Sequence, residues 1–180
     1  MQNYQVKKAT HLLPNEINLI LSTWDVKEWN SLSVTDFRNQ FFSSEFHLLL
    51  DNSYSIVSFA RINFDFKLQI EDQAYSIPEF VGFISVRKGK GYGSMLLENI
   101  ITNLRARNIE ALGFCEKTLR PFYEKCAVPI LYNQARFIKE PMNNEWQISD
   151  DDDILNLTLS TRTSKLLMSL NDERSAFLTI

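Results

Sequence analysis

Apolar residues recur along the chain with two different periods, and the switches between them mark the expected elements. Tyr4 to Ala9 predicts a first strand. Pro14 followed by Ile17, Leu19, Ile20, Leu21 and Trp24 predicts a helix over about 14–24, since proline is preset for the first helical turn. Ser33-Val34-Thr35-Asp36 opens a second helix, through Phe37, Phe41 and Phe42. At Phe46 the texture changes. His47 to Leu50, the turn signal Asp51-Asn52-Ser53, and Ser55 to Ile62 predict a hairpin. Phe64, Phe66, Leu68 and Ile70 alternate with polar residues and extend that strand or start another, until Glu71-Asp72-Gln73 breaks the pattern.

Phe80 to Val86 reads as a continuous apolar strand running straight into Arg87-Lys88-Gly89-Lys90-Gly91-Tyr92-Gly93-Ser94. Met95, Leu96, Leu97, Ile100, Ile101 and Leu104 then recur at helical spacing, which predicts a helix over about 91–107 with Asn108 as its stop. Arg105 and Arg107 complement the dipole at its C-terminal end. A short buried strand is expected over 109–115 and a short helix over 117–126, with Pro129 preventing a long continuation. Further strands are expected at 135–139, 145–148 and 154–159, an acidic loop at Asp150 to Asp153, and a terminal helix at 164–170. No repeat or flexible linker interrupts the pattern, so residues 1–180 are expected to form one domain of mixed α+β class.

Composition narrows the function. With 44% hydrophobic and 23% charged residues the chain is not disordered as a whole. A formal net charge of −3 carries no global basic footprint, so no nucleic-acid partner is expected. No apolar run reaches the ~18 residues of a membrane span, and no apolar segment follows Lys7 and Lys8, so neither a membrane anchor nor a secretory signal is expected. The two cysteines, Cys115 and Cys126, suit reduced thiols in a cytoplasm and read as buried small hydrophobes. His11 and His47 are the only histidines, and two such residues do not make a metal site.

Glycine placement points to chemistry. Of five glycines, three stand at 89, 91 and 93. A loop of small residues entering a helix leaves several N–H groups pointing one way, beside the positive end of the helix dipole. Such an end holds a phosphate, and Arg87, Lys88 and Lys90 place three cations around it. It is not a Walker-type loop, because no Lys-Ser or Lys-Thr pair follows a glycine here. It is not a dinucleotide fingerprint either: Ser94 and Leu96 stand where that motif needs its third glycine.

Lys88-Gly89-Lys90-Gly91-Tyr92-Gly93 resembles the Arg/Gln-x-x-Gly-x-Gly/Ala loop of the GCN5-related N-acetyltransferase (GNAT) family. Met95-Leu96-Leu97 on the helix, the strand Ala111 to Cys115, and Arg120-Pro121-Phe122-Tyr123-Glu124-Lys125-Cys126 are similar to the segments that follow in that family. The resemblance implies an acyl-CoA N-acyltransferase fold, with a central mixed, mostly antiparallel sheet and helices on both faces. It implies acetyl transfer from acetyl-coenzyme A to a primary amine of a small molecule or protein. The pyrophosphate would sit on the amides of Gly89 to Ser94, including Lys90, Gly91, Tyr92 and Gly93, with Lys88 beside it. The pantetheine arm would run along Ile84, Ser85 and Val86. Tyr123 matches the family's tyrosine acid, which protonates the leaving thiolate. Glu79 and Glu116, at the ends of neighbouring strands, are the candidate bases for the amine.

Lys88, where Arg or Gln is usual, and Ala127-Val128, in place of Gly-Phe, favour one rival: a non-catalytic acyl-CoA sensor on the same fold. A second rival is a protein-interaction module using Phe37, Phe41, Phe42 and Phe46. Asp150 to Asp153 reads as a solvated loop, or as a lip that attracts a cationic amine. The acceptor is not specified, and the oligomeric state is left open, a homodimer being one option.

Overall fold

As far as Cys126, helices and strands form close to where the apolar periods place them, except that residues 73–76 form a strand the pattern does not predict. A computed structural model describes residues 3–142 and 145–179. The chain divides into one unit that runs to Phe64 and resumes over Phe80–Ile100, and another made of Asp65–Glu79 and the chain from Ile101 onward.

In the first unit β1 (Asn3–Lys8) pairs antiparallel with β2 (Ser44–Leu50), which pairs antiparallel with β3 (Ile56–Asn63). Helices α1 (Pro14–Trp24) and α2 (Val34–Gln40) supply the other side of its core. Each helix starts on a specific bond. The Glu16 carboxylate accepts the Leu13 N–H at 2.8 Å and pairs with Lys7 at 2.7 Å. Ser33 Oγ accepts the Asp36 N–H at 3.1 Å, as the sequence cap predicts. Ile17, Ile20, Phe37, Phe46, Leu48 and Phe59 are fully buried, and each such side chain contributes roughly 1.5–3 kcal/mol. Trp24 lies within 6.4 Å, centroid to centroid, of Phe37, Phe41, Phe46 and Phe59. Three of the four phenylalanines weighed as an interaction surface are therefore core, and only Phe42 is exposed.

The second unit departs more from the sequence pattern. β4 (Lys67–Ile70) turns at Glu71 into β5 (Gln73–Ser76), a partly exposed edge strand with no apolar alternation to reveal it. They join a five-stranded sheet in the order β10-β9-β12-β4-β5. β9 spans Ile138–Met142, β10 Glu145–Ile148 and β12 Ala176–Thr179. β12 lies parallel to β9, and the other pairs are antiparallel. The segment expected as a strand from Ala135 begins instead with a 3₁₀ turn at Ala135–Phe137. β7 (Leu112–Cys115), β11 (Asp153–Asn156) and β8 (Ile130–Leu131) form an antiparallel set in the order β7-β11-β8. β11 ends early because Asn156 Oδ1 accepts the Leu159 N–H at 2.8 Å and bends the chain. The last helix, α5 (Thr161–Met168), starts earlier than expected, since Ser160 Oγ caps the Thr163 N–H. Among the described residues no helix is long and apolar enough to cross a membrane.

Candidate functional site

β6 (Glu79–Ser85) leads into the glycine loop, and α3 (Tyr92–Ala106) leaves it. The strand is not regular. Gly82 has φ +62, and its carbonyl accepts the Trp24 indole N–H at 2.9 Å. Two residues on, the Ile84 carbonyl is taken by Ser58 Oγ at 2.8 Å, and the Val86 N–H reaches the Val57 carbonyl at 2.9 Å. The segment predicted to flank a pantetheine arm, Ile84 to Val86, is thus fixed against β3.

The loop itself is open. Gly89 and Gly91 have φ +74 and +73, conformations that favour glycine, and nothing lies within 4 Å of the position a side chain would take at either. Met95 N–H donates to the Gly91 carbonyl at 3.1 Å at the start of α3. No N–H from Lys88 to Gly93 donates to a backbone carbonyl elsewhere in the loops or turns of the described residues. Lys88 and Lys90 are exposed and make no ion pair among the described residues. Arg87 differs from the expectation of a third free cation: its guanidinium is bound to Asp51 at 2.8 Å. Asp51 also accepts Ser53 Oγ at 2.6 Å and the Ser53 and Ser55 N–H groups. The Ser53 hydroxyl first, and Arg87 among the smaller contributors, hold its carboxyl below the usual carboxylate range. Arg87 therefore ties the entry of the loop to the β2–β3 turn.

The three residues expected to do chemistry belong to the second unit. Tyr123 lies on α4 (Arg120–Lys125) and is only 5% exposed. Its helix closes as a Schellman turn, with Val128 N–H on the Tyr123 carbonyl at 3.0 Å and Ala127 N–H on Glu124 at 2.9 Å. The Tyr123 hydroxyl makes no hydrogen bond among the described residues. Burial, then the nearby Cys115, Asp151 and Cys126, push it up, so it stays protonated through neutral pH. Helix α4 is held by Asp153, a buried residue whose carboxylate takes Arg120 Nε and accepts Arg120 Nη2 at 2.6 Å and the Asn133 N–H at 2.7 Å.

Glu79 opens β6 and is half-buried, while Glu116 follows β7 and is exposed. The charges of Glu79 and Glu116 contribute to raising the Asp151 carboxyl, after burial and the Glu140 charge, and the Asp151 charge contributes to raising the Tyr123 hydroxyl. No sequence signal separates Asp151 from its acidic neighbours, because only folding assigns those neighbours to other work. Cys115 is buried, and burial followed by the Asp153 and Asp151 charges pushes its thiol to about 12, which removes it as a nucleophile. A pocket of about 250 Å³ lined by Arg105, Asn108, Glu110 and Ser160 includes none of the expected site residues.

No protein-family model matches the sequence, and no curated protein matches it. Solved structures do. A GNAT family N-acetyltransferase of Escherichia coli, YhbS, solved in complex with CoA, superposes with TM-score 0.59 at 10% identity, covering 98% of this chain and 88% of that one. The N-acetyltransferase PseH of Campylobacter jejuni gives TM-score 0.55 at 17% identity, covering 87% and 99%. An N-acetyltransferase of Staphylococcus aureus gives 0.55 at 15% identity, covering 87% and 98%.

Proposed function

We propose that this chain, which has the fold of the GNAT N-acetyltransferases, transfers an acetyl group from acetyl-coenzyme A to a primary amine. The observation that carries the reading is the open loop at the start of α3: two glycines at positive φ with nothing within 4 Å of either side-chain position, and two exposed lysines that make no ion pair among the described residues. The loop amides and the α3 dipole would hold the pyrophosphate, with Lys88 and Lys90 adding charge. The segment Ile84 to Val86, held against β3 by Ser58 and Val57, would flank the pantetheine arm. The Tyr123 hydroxyl, kept protonated, would donate a hydrogen bond to the departing sulfur, and positioning would supply most of the acceleration.

One motive for a non-catalytic sensor weakens at Ala127. It adopts φ +55, the left-handed conformation expected of the family's glycine, so the α4 terminus keeps that backbone despite the substitution. Calorimetric titration with acetyl-coenzyme A, followed by thiol release with an amine panel, tests the proposal. Binding and amine-dependent thiol release are expected, and no heat at millimolar cofactor would overturn the reading.

A further inference from the structure

Tyr54, in the turn between β2 and β3, is 76% exposed, more than any other large hydrophobic side chain among the described residues. Its backbone is as unusual as its exposure. It holds φ +59, a left-handed conformation that suits Gly or Asn and strains a residue with a bulky side chain. The turn itself is well determined. Asp51 Oδ1 accepts Ser53 Oγ at 2.6 Å and the Ser53 and Ser55 N–H groups at 2.9 and 3.1 Å. The Tyr54 N–H donates to the Asp51 carbonyl at 3.0 Å. These bonds use the backbone and short side chains only. The Tyr54 side chain makes no hydrogen bond and no ring or cation contact among the described residues. Nothing inside the fold offsets the strain or the exposure of this ring, and such a residue points to a role outside the fold.

Three contacts place the turn at the entry of the glycine loop, all of them inside the first unit. Ser58 Oγ donates to the Ile84 carbonyl at 2.8 Å, the Val86 N–H donates to the Val57 carbonyl at 2.9 Å, and Arg87 Nη1 reaches Asp51 at 2.8 Å. As the chain advances from Ile84 to Arg87 it meets β3 and then the turn in reverse order. At Arg87 it has arrived at the turn, and Lys88 and Gly89 come next. The Asp51 side chain in this ion pair is only 15% exposed, so the strap between turn and loop is partly shielded from solvent. The side-chain positions at Gly89 and Gly91 have nothing within 4 Å, so the space beside the loop is open rather than filled by the ring.

In the acetyl-transfer reading the pantetheine arm follows Ile84 to Val86 and the pyrophosphate sits on the loop. The adenosine half then leaves the loop on the side away from β6, past Arg87, where the turn stands. An adenine base is a flat π surface, and an exposed aromatic ring without an intramolecular partner binds such a surface by stacking. We infer that the Tyr54 ring stacks on the adenine of acetyl-coenzyme A, an assignment that rests on the reading above. Tyr54 is a binding residue in this scheme, and Arg87 and Asp51 are positioning residues that hold its turn to the loop.

The test compares wild type, Tyr54→Asn and Tyr54→Phe by calorimetry. One probe is acetyl-coenzyme A. The other is S-acetyl-4′-phosphopantetheine, which keeps the thioester arm and has no adenosine. Asparagine tolerates positive φ, so Tyr54→Asn should unfold no earlier than wild type. It should bind acetyl-coenzyme A about 10-fold more weakly and the truncated probe within about 2-fold of wild type. Tyr54→Phe keeps the ring and should stay within about 2-fold for both probes. Proton NMR of acetyl-coenzyme A in exchange with the protein gives the direct signature: the adenine H2 and H8 signals should move upfield on binding to wild type and to Tyr54→Phe, and less on binding to Tyr54→Asn. If Tyr54→Asn binds acetyl-coenzyme A within about 2-fold of wild type, the assignment is overturned while cofactor binding stands. An equal loss for both probes, or adenine signals that Tyr54→Asn shifts as wild type does, overturns it too. If wild type binds no acetyl-coenzyme A at millimolar concentration, both the assignment and the acetyl-transfer reading fall.

Discussion

Trp24 donates its indole N–H to the Gly82 carbonyl at 2.9 Å, and the same ring fills the space that a side chain at 82 would need. A Cβ there would lie 2.7 Å from the indole. The positive φ adds a second penalty for any other residue. Gly82→Ala should therefore lower stability by about 2–4 kcal/mol in urea unfolding, the sum of backbone strain and overpacking. Because Gly82 precedes Ile84 to Val86 on β6, the same variant should weaken acetyl-coenzyme A binding in calorimetry.

Ala127 shows the opposite case. It holds φ +55 at the end of α4 with a side chain that disfavours it. The Schellman bonds of Ala127 and Val128 N–H over-determine the turn. Ala127→Gly should raise stability by about 1 kcal/mol, read from the unfolding midpoint, with kcat unchanged.

These two positions also show what the sequence could and could not reveal. The glycine triplet, the α3 stripe and the Phe122-Tyr123 segment are local signals, and local structure followed them. Gly82 read as an ordinary strand residue, since its partner, Trp24, is 58 positions away. Asp151 was hidden for the same reason: its distinction from Asp152 and Asp153 comes from Lys117, Arg120 and Asn133, brought together only by folding. β5 and β12 were missed because neighbouring strands decide short edge and terminal strands more than apolar alternation does.

Acid should expose the Asp153–Arg120 contact. Burial alone would raise the Asp153 carboxyl, but hydrogen bonds from Arg120 and Asn133, with the charges of Arg120 and Lys117, outweigh it and hold the carboxyl below its ordinary 3.8. A depressed folded value means the stabilisation is complete above the unfolded pKa and is lost as pH falls through the folded one. Asp153→Asn should cost about 2–3 kcal/mol at pH 7. The difference from wild type should shrink below about pH 4 in parallel urea titrations.

Lys88 and Lys90 are exposed, so their contribution to cofactor binding should be modest and screened by salt. Each alanine variant should weaken acetyl-coenzyme A binding by roughly 3–10-fold at low ionic strength, about 1 kcal/mol, and less at 0.5 M salt. Gly91→Ala, at φ +73, should weaken it at both, because it disturbs the amides rather than the charge. Equal binding by all three variants would remove the loop from the cofactor site.

Tyr123→Phe separates chemistry from packing at α4. The ring is buried beside Phe122, and its hydroxyl has no hydrogen-bond partner among the described residues, so phenylalanine should fold with little change in stability. If the hydroxyl serves the departing sulfur, kcat should fall about 100-fold while the acetyl-coenzyme A dissociation constant holds. Burial and the charges around it keep the hydroxyl protonated well beyond neutrality. Tyr123 should therefore add no basic limb to the wild-type rate profile below about pH 10. A variant with unaltered kcat would leave Tyr123 a packing residue, and a basic limb near pH 8 that disappears in the variant would contradict the electrostatics of its surroundings.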